Sequence, residues 1–282
     1  MRVLLFKEKK SRKVCLDFIK VLNEECNSFP DMNTIISSSA LYRAPLKSEP
    51  ISLIHVIGKL NKSSLYLIFK AYRKNIPVIY SPMGELLILY TKRNNLVRVI
   101  QKFFFDHIAS KGIALIHTCG MMEYERMATH LRTSSITLIE NPNISARISS
   151  KITTTKMISE YEKTYTSFNQ HIHESIVHQL KKQQVNQNIS DICEKLIFVR
   201  YEKYREGLTM TILQDIAEAL HQCDCDEDKL AEVLKSLKIY DFTSSLEQVL
   251  YDKQLLAEGF MPIPARKNRL SEAILQQTHN FL

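Results

Sequence analysis

The chain has no uninterrupted apolar run of the roughly 18 residues that a membrane-spanning helix needs; even 85–90 and 103–105 sit between charged or polar residues. A helical membrane span is therefore excluded at the level of sequence. The apolar start ends at Phe6 and basic residues follow it, unlike a secretory leader, so the cytoplasm is the expected location. Only six cysteines are spread over 282 residues, and Cys223 and Cys225 alone are closely spaced. That pattern supplies no disulfide framework, and reduced thiols are expected. No fixed-period repeat and no long low-complexity segment occur, which excludes solenoids and propellers. Tryptophan is absent, and that by itself excludes nothing.

What is present suits a folded protein. Hydrophobic residues make up 45% of the chain, enough to build an ordinary core in one large domain or two modest ones. The net charge of +8 favours anionic partners such as phosphorylated sugars, lipid headgroups or nucleic acid, without choosing among them.

Short β-rich runs occur at 3–6, 34–36, 52–57, 78–80, 114–117 and 136–139. Segments of helical length and period lie between most of them, at 14–22, 65–73, 97–108 and 121–131. Strands alternating with helices require a parallel sheet covered on both faces, so residues 1–144 are expected to form a doubly wound α/β domain. After Asn143 this grammar stops. Residues 145–155 are rich in Ser and Thr and read as a linker, and 156–282 as an all-helical domain. Within it, 209–220 aligns Ile212, Leu213, Ile216 and Leu220 on one stripe, and 227–237 does the same with Leu230, Val233, Leu234 and Leu237. Asp226 is placed to cap the second helix, and Ser244 followed by Glu247 has capping-box spacing for a third. Gly259 and the rigid Met261-Pro262-Ile263-Pro264 end that run, and a short helix follows at 271–278.

Four signals lie at predicted strand ends: His55-Val56-Ile57-Gly58; Pro77-Val78-Ile79-Tyr80-Ser81-Pro82-Met83-Gly84; 113–118 running into Cys119 and Glu123; and 136–139 leading to Glu140-Asn141-Pro142-Asn143. In order and spacing they resemble the N-terminal, acceptor-side half of family 4 glycosyltransferases, enzymes with two facing Rossmann-like domains known as the GT-B fold. The resemblance implies a Rossmann-like sheet and a cleft at the strand ends. It implies His55, Gly58, Ser81, Gly84, Glu123 and Asn143 as substrate-binding candidates, with a sugar acceptor or nucleotide-sugar as the ligand. Ligands of open α/β sheets do sit outside the carboxyl ends of strands, and glycine there permits close backbone approach. Lys9, Lys10 and Arg12, within a basic cluster after the first strand, are candidates for attracting phosphate.

The departures from that family are equally specific. Its glycine-rich first loop is replaced by Lys7-Glu8-Lys9-Lys10, the histidine of its Ser-Pro-His-Gly passage by Met83, a serine by Cys119, and the glycine after Pro-Asn by Ile144. Met83 neither transfers a proton nor donates a hydrogen bond to a sugar oxygen. The second Rossmann domain, which in that family holds most donor contacts, has no counterpart in the sequence. Two readings follow: a hexosyltransferase-like enzyme completed by another chain, or a non-catalytic module binding a glycan precursor or a protein, the latter through its helical domain.

Other constellations have simpler readings. Residues 97–105 interleave Arg98 and Lys102 with Val99, Ile100 and Phe103–Phe105, which suits either a core-facing helix or peripheral contact with the inner face of an anionic membrane. His221, Cys223 and Cys225 beside Asp224, Asp226 and Asp228 lack zinc spacing, and Lys229 stands where a calcium loop needs glycine, so the segment reads as an acidic helix-capping turn. His171, His173 and His178 lack helical metal spacing, and no metal or cofactor is expected. Cys119 near His117 is the one thiol–imidazole pair that invites a nucleophile reading, though it lacks a third residue to orient the ring. No helix-turn-helix or RNP-like signature accompanies the positive charge, so nucleic acid is not the expected partner.

Overall fold

The structure is a computed structural model that describes residues 1–7, 12–29, 32–38, 51–91, 99, 102–103, 105–106, 110–131, 135–141, 150–205 and 207–279. The chain divides into two compact units, Met1–Phe168 and Asn169–Leu282.

The first unit holds a six-stranded, all-parallel sheet in the order β2-β1-β3-β4-β5-β6. Its strands are β1 (Arg2–Lys7), β2 (Asn33–Ser38), β3 (Leu53–Ile57), β4 (Val78–Ser81), β5 (Leu115–Thr118) and β6 (Ser135–Leu138). Each of the six β-rich runs in the sequence contributes one strand. Inner strands β3, β4 and β5 are buried at every position, as strands covered on both faces must be, whereas edge strands β2 and β6 are partly exposed. Between them run α1 (Lys13–Cys26), α2 (Lys62–Arg73), α3 (Glu85–Thr91) and α4 (Met121–His130).

Side chains alternate across the sheet and make two cores. On one face Val3, Leu5, Leu53, Ile57, Ile79 and Leu115 meet Phe18, Ile19 and Leu22 of α1. On the other, Leu4, Ile54, Val56, Val78, Tyr80 and Ile116 meet Leu67, Ile68 and Ala71 of α2 and Met127 of α4. The polypeptide moves outward from β1 to β2 and then returns to the far side of β1 as β3. The sheet is thus doubly wound, with its switch point between β1 and β3, where the carboxyl ends of strands open a crevice.

Helix α5 (Ser150–Lys181) is the longest in the chain. Its first half belongs to the α/β unit: Thr154, Met157, Ile158 and Tyr161, spaced i, i+3, i+4 and i+7, are buried, the last three in the core that contains α1. The expected linker at 145–155 is therefore helix from Ser150, and residues 145–149 lie outside the described ones. Two of the threonines in this segment face the protein. Thr153 Oγ1 donates to the Glu140 carbonyl at 2.9 Å, and Thr153 and Thr154 are buried.

From Asn169 onward the described residues form helices: the second half of α5, then α6 (Gln187–Arg205), α7 (Met210–His221), α8 (Glu227–Ser236), α9 (Tyr240–Asp252) and α10 (Arg269–His279). Their apolar stripes close one core, from Ile176 and Leu196 through Leu213, Ile216, Leu230 and Leu234 to Leu246, Leu250 and Ile274. Thr209 caps α7 by accepting from the Ile212 amide at 3.3 Å, and Asp226 caps α8 by accepting from Lys229 at 3.1 Å. The third helix starts earlier than its Ser244–Glu247 signal indicates. Lys238 adopts a left-handed conformation (φ 58°) and turns the chain sharply, so α9 begins at Tyr240 and carries Ser244 and Ser245 inside it. Their hydroxyls serve tertiary contacts: Ser244 donates to the Pro264 carbonyl at 2.6 Å, while Ser245 lies 3.2 Å from Asn268 Oδ1. Likewise Gly259 sits in a single 3-10 turn, Glu258–Phe260, and α9 has already ended at Asp252.

Helix α2 tests how local signals contribute. Asn61 accepts from the Ser64 amide at 2.9 Å while the Ser64 hydroxyl accepts from the Asn61 amide at 2.7 Å, a complete capping box. Asn61→Ala is expected to lower the stability of the α/β unit by about 1 kcal/mol. Leu53→Ala, which empties a fully buried site, should cost about 2–5 kcal/mol. Urea unfolding of both variants checks the ranking, and an equal or reversed order would contradict it.

Candidate functional site

The carboxyl ends of β3, β4 and β5 bring three polar side chains to the face covered by α1 and α5. Register sets their levels: Ile57 lies opposite Ser81, and Tyr80 opposite Ile116, so Ser81 and His117 are nearly level while His55 sits two residues deeper. Tyr161 of α5 completes the group. Its hydroxyl is 2.6 Å from His55 Nδ1, His55 Nε2 is 2.6 Å from Ser81 Oγ, Ser81 Oγ is 2.6 Å from His117 Nδ1, and His117 Nε2 is 2.9 Å from the Ile139 carbonyl.

With both imidazoles neutral, as their complete burial favours, one end of this chain dictates the direction of every bond. A carbonyl only accepts, so His117 Nε2 carries the proton and its Nδ1 accepts from the Ser81 hydroxyl. Ser81 Oγ then accepts from His55 Nε2–H, and His55 Nδ1 accepts from the Tyr161 hydroxyl. Burial pushes His117 down to about 4, against a small opposing effect of its bond to Ile139. Burial, reinforced by His117, holds His55 well below the usual imidazole range. All four side chains are 0% exposed, and Phe18 stacks on His117 and meets His55 edge-on. Polar groups this deep are tolerated because each has its partner.

His55 and Ser81, which the family resemblance implies as cleft residues, are thus interior groups committed to one another and to α5. Tyr161 is the member that motif reading missed. The i, i+3, i+4, i+7 spacing of Thr154, Met157, Ile158 and Tyr161 marks a buried face and was the available signal.

Beyond the chain, the strand ends are closed by sulfur and amide groups. Gly58 (φ 92°) donates its amide to the Ser81 carbonyl at 2.8 Å, and a Cβ there would come within 3.3 Å of Cys15 Sγ. Met83 itself holds a left-handed conformation (φ 53°), costly for a residue with a Cβ, and Gly84 follows at φ 86°. This turn drives the Met83 side chain inward, where its sulfur lies 3.2 Å from Cys119 Sγ and 3.8 Å from Asn141 Nδ2. Glu123, in the first turn of α4, holds the turn by accepting the Gly84 amide at 2.9 Å. Burial raises its pKa, opposed by bonds from the amides of Gly84, Cys119 and Leu87.

Cys119 and His117 do share a face, 4.0 Å apart. The imidazole nitrogen that faces the thiol already donates to Ile139, and burial raises the thiol pKa far above its ordinary value. The pair is not an activated nucleophile. Arg12 is paired with Glu85 at 2.6 Å, so its guanidinium answers a carboxylate of α3. Lys9, Lys10 and Asn143 lie outside the described residues. Among the described residues, Gly84, Glu85, Gly120 and the exposed Met121 (52%) and Met122 (73%) meet solvent at this edge.

The remaining sequence constellations disperse. Residues 97–105 fall largely outside the described residues; among those described, Phe105 is buried against Tyr80 while Val99 and Phe103 are exposed. His221 stacks on Phe260 and His173 packs on Tyr201. All six cysteines are free, with Cys223 and Cys225 sulfurs 2.8 Å apart. Among the described residues no group of three or more metal-ligating side chains is assembled, and no helix is long and apolar enough to cross a membrane.

Compared with known proteins, the chain is matched by no family model and by no curated sequence.

The neutral histidines make stability depend on pH with a definite sign. Their folded pKa values lie below the unfolded value near 6.5, so their contribution is full above that pH and is lost as pH falls toward about 4. The expected slope is on the order of 1 kcal/mol per pH unit per histidine. Urea midpoints between pH 7.5 and 4.5 measure it, and the slope should be shallower in His117→Asn; identical slopes would contradict neutral burial. Tyr161→Phe, which leaves His55 Nδ1 without its donor, should cost about 1–3 kcal/mol at pH 7.5.

Proposed function

We propose that this chain is a glycosyltransferase-like protein whose α/β unit binds a glycan precursor without transferring its sugar. The observation that carries this reading is the closed hydrogen-bond chain from Tyr161 to Ile139. It commits the hydroxyl protons of Tyr161 and Ser81 and all four ring nitrogens of His55 and His117 to one another and to Ile139. A general acid or base must reach the reacting atom, and His55, Ser81 and His117 are all fully buried.

Met83 supports the same reading. Where the resembled family has a histidine, its thioether is packed against Cys119 and Asn141 and supplies neither a proton nor an oriented donor. What remains suited to recognition is the rim: the Met83-Gly84 turn held by Glu123, with Gly120 opening α4 and Met121 and Met122 exposed beside it. A ring-shaped, hydroxyl-rich ligand fits such a surface, using backbone groups for hydrogen bonds and thioethers for its apolar faces.

One observation favours a second reading, transfer completed by another chain. Glu123 has a raised pKa and lies directly behind the turn where an acceptor would sit, a position suited to a proton-transferring carboxyl. Against it, one oxygen of that carboxyl is already bound by Gly84.

Calorimetry with a panel of nucleotide sugars and lipid-linked or peptide acceptors, paired with radiolabelled transfer, tests the proposal. Acceptor-side glycans are expected to bind, with nucleotide sugars weak or silent and turnover absent. Gly84→Trp should reduce acceptor binding at least tenfold. Turnover by the isolated chain that Gly84→Trp abolishes would overturn the non-catalytic reading in favour of the second.

A further inference from the structure

A helix lying on a sheet turns an apolar stripe to the core and, as a rule, a stripe of mixed charge to water. Helix α2 keeps only the first half of this rule. Ser64, Leu67, Ile68 and Ala71 are its buried side. On the opposite side Lys62, Tyr66, Phe69 and Arg73, spaced i, i+4, i+7 and i+11, form one outward stripe, with Lys70 and Tyr72 flanking it. Its rings stand in water: Tyr66 is 38% exposed, Phe69 53% and Tyr72 57%.

Charge on this face has a single sign. No Asp or Glu occurs from Ile51 to Gly84, whereas Lys59, Lys62, Lys70, Arg73 and Lys74 all do. Lys70 Nζ lies 5.1 Å from the centre of the Tyr66 ring, and the Arg73 guanidinium carbon lies 5.9 Å from that of Phe69, so cations and rings share one patch. The 3-10 turn Ser110–Gly112 presses on the same helix: a Cβ at Gly112 would stand 2.8 Å from Ile68 Cγ2 and 3.7 Å from Tyr72 Cβ. Its exposed neighbour Lys111 adds a cation at the Tyr72 end.

Exposed rings favour an apolar partner, and a patch of like charges favours an anionic one. A phospholipid surface is both at once, because phosphates lie above the acyl chains. Lysine and arginine stems lie along apolar surface while their heads reach the phosphates, and aromatic rings settle at the boundary between the two layers. Single-stranded nucleic acid also combines phosphate with stacking, but the proteins that bind it track its backbone in a groove, and one convex helix face supplies none.

We propose that the outward face of α2 docks on the anionic surface of a phospholipid bilayer. Tyr66, Phe69 and Tyr72 enter the headgroup layer, and Lys62, Lys70 and Arg73 meet lipid phosphates. This surface is independent of the reading of the strand-end rim.

The test is cosedimentation of the full chain with vesicles of phosphatidylcholine alone and of equal parts phosphatidylcholine and phosphatidylglycerol. Each lysine or arginine near an anionic surface strengthens partition roughly fivefold, so the mixed vesicles should bind the protein at least tenfold more tightly. Raising sodium chloride from about 0.1 M to about 0.5 M should release it, a reading that needs no variant. Phe69→Ser with Tyr72→Ser, and separately Lys70→Gln with Arg73→Gln, should each weaken binding at least fivefold. Melting temperatures should be retained, since these side chains face water. Tyr251→Ser, which removes an exposed ring of the helical unit, should leave binding unchanged. The proposal is overturned by less than tenfold preference for the mixed vesicles, by insensitivity to salt, or by a folded double variant within fivefold of wild type. An equal loss in Tyr251→Ser, or tighter binding of a single-stranded oligonucleotide than of the mixed vesicles, overturns it too.

Discussion

The bond from His117 Nε2–H to the Ile139 carbonyl governs the centre of the α/β unit. Because its acceptor has no proton to give, it fixes the tautomer of His117, then the rotor of Ser81, the tautomer of His55 and finally the Tyr161 hydroxyl. Three strands and the first half of α5 are joined through this one sequence of donors and acceptors. Its members are costly to bury singly and acceptable together, since every desolvated atom regains a partner. Hydrophobic burial provides most of the favourable free energy of the sheet, but it is non-directional. The polar chain specifies which turn of α5 docks at which strand level.

The same economy withdraws His55, Ser81 and His117 from solvent. Groups that stabilise a fold by mutual saturation are withdrawn from chemistry, because a proton passed to a substrate would leave a buried acceptor unpaired. The left-handed Met83-Gly84 turn acts at the boundary of this interior: it turns a thioether inward as a plug and leaves backbone and rim methionines outside. Buried and solvent-facing groups thus adjoin at this turn.

The helical unit handles polarity differently. Caps at Thr209 and Asp226 satisfy helix ends locally, and Ser244, Ser245 and Asn268 fasten the 262–268 segment to α9. Glu247 stands apart from this pattern. Where Ser244 and Ser245 find partners on the 262–268 segment, both of its oxygens are left without one.

Sequence by itself determined the elements whose signals are local. Each inner strand is a short, mainly apolar run, which calls for cover on both faces. The stripes of α7 and α8, with Thr209 and Asp226 as caps, are written at helical spacing within a dozen residues. The strand-end positions of Gly58, Ser81, Gly84 and Glu123 were legible for the same reason. Only the tertiary structure decided their chemistry. His55 and Ser81 are 26 residues apart, and Tyr161 lies 106 residues from His55; no motif spans those distances, so whether His55 faces solvent or a tyrosine depends on where α5 packs. The boundary near 145–155 was misread because Ser and Thr are equally suited to a solvated linker and to a buried helix face whose hydroxyls bond back to carbonyls. The start of α9 was misplaced because a left-handed lysine, a rare state for a residue with a Cβ, made the turn that the serines were expected to make. Local patterns fix elements, whereas saturation of buried polar atoms depends on partners that only folding brings together.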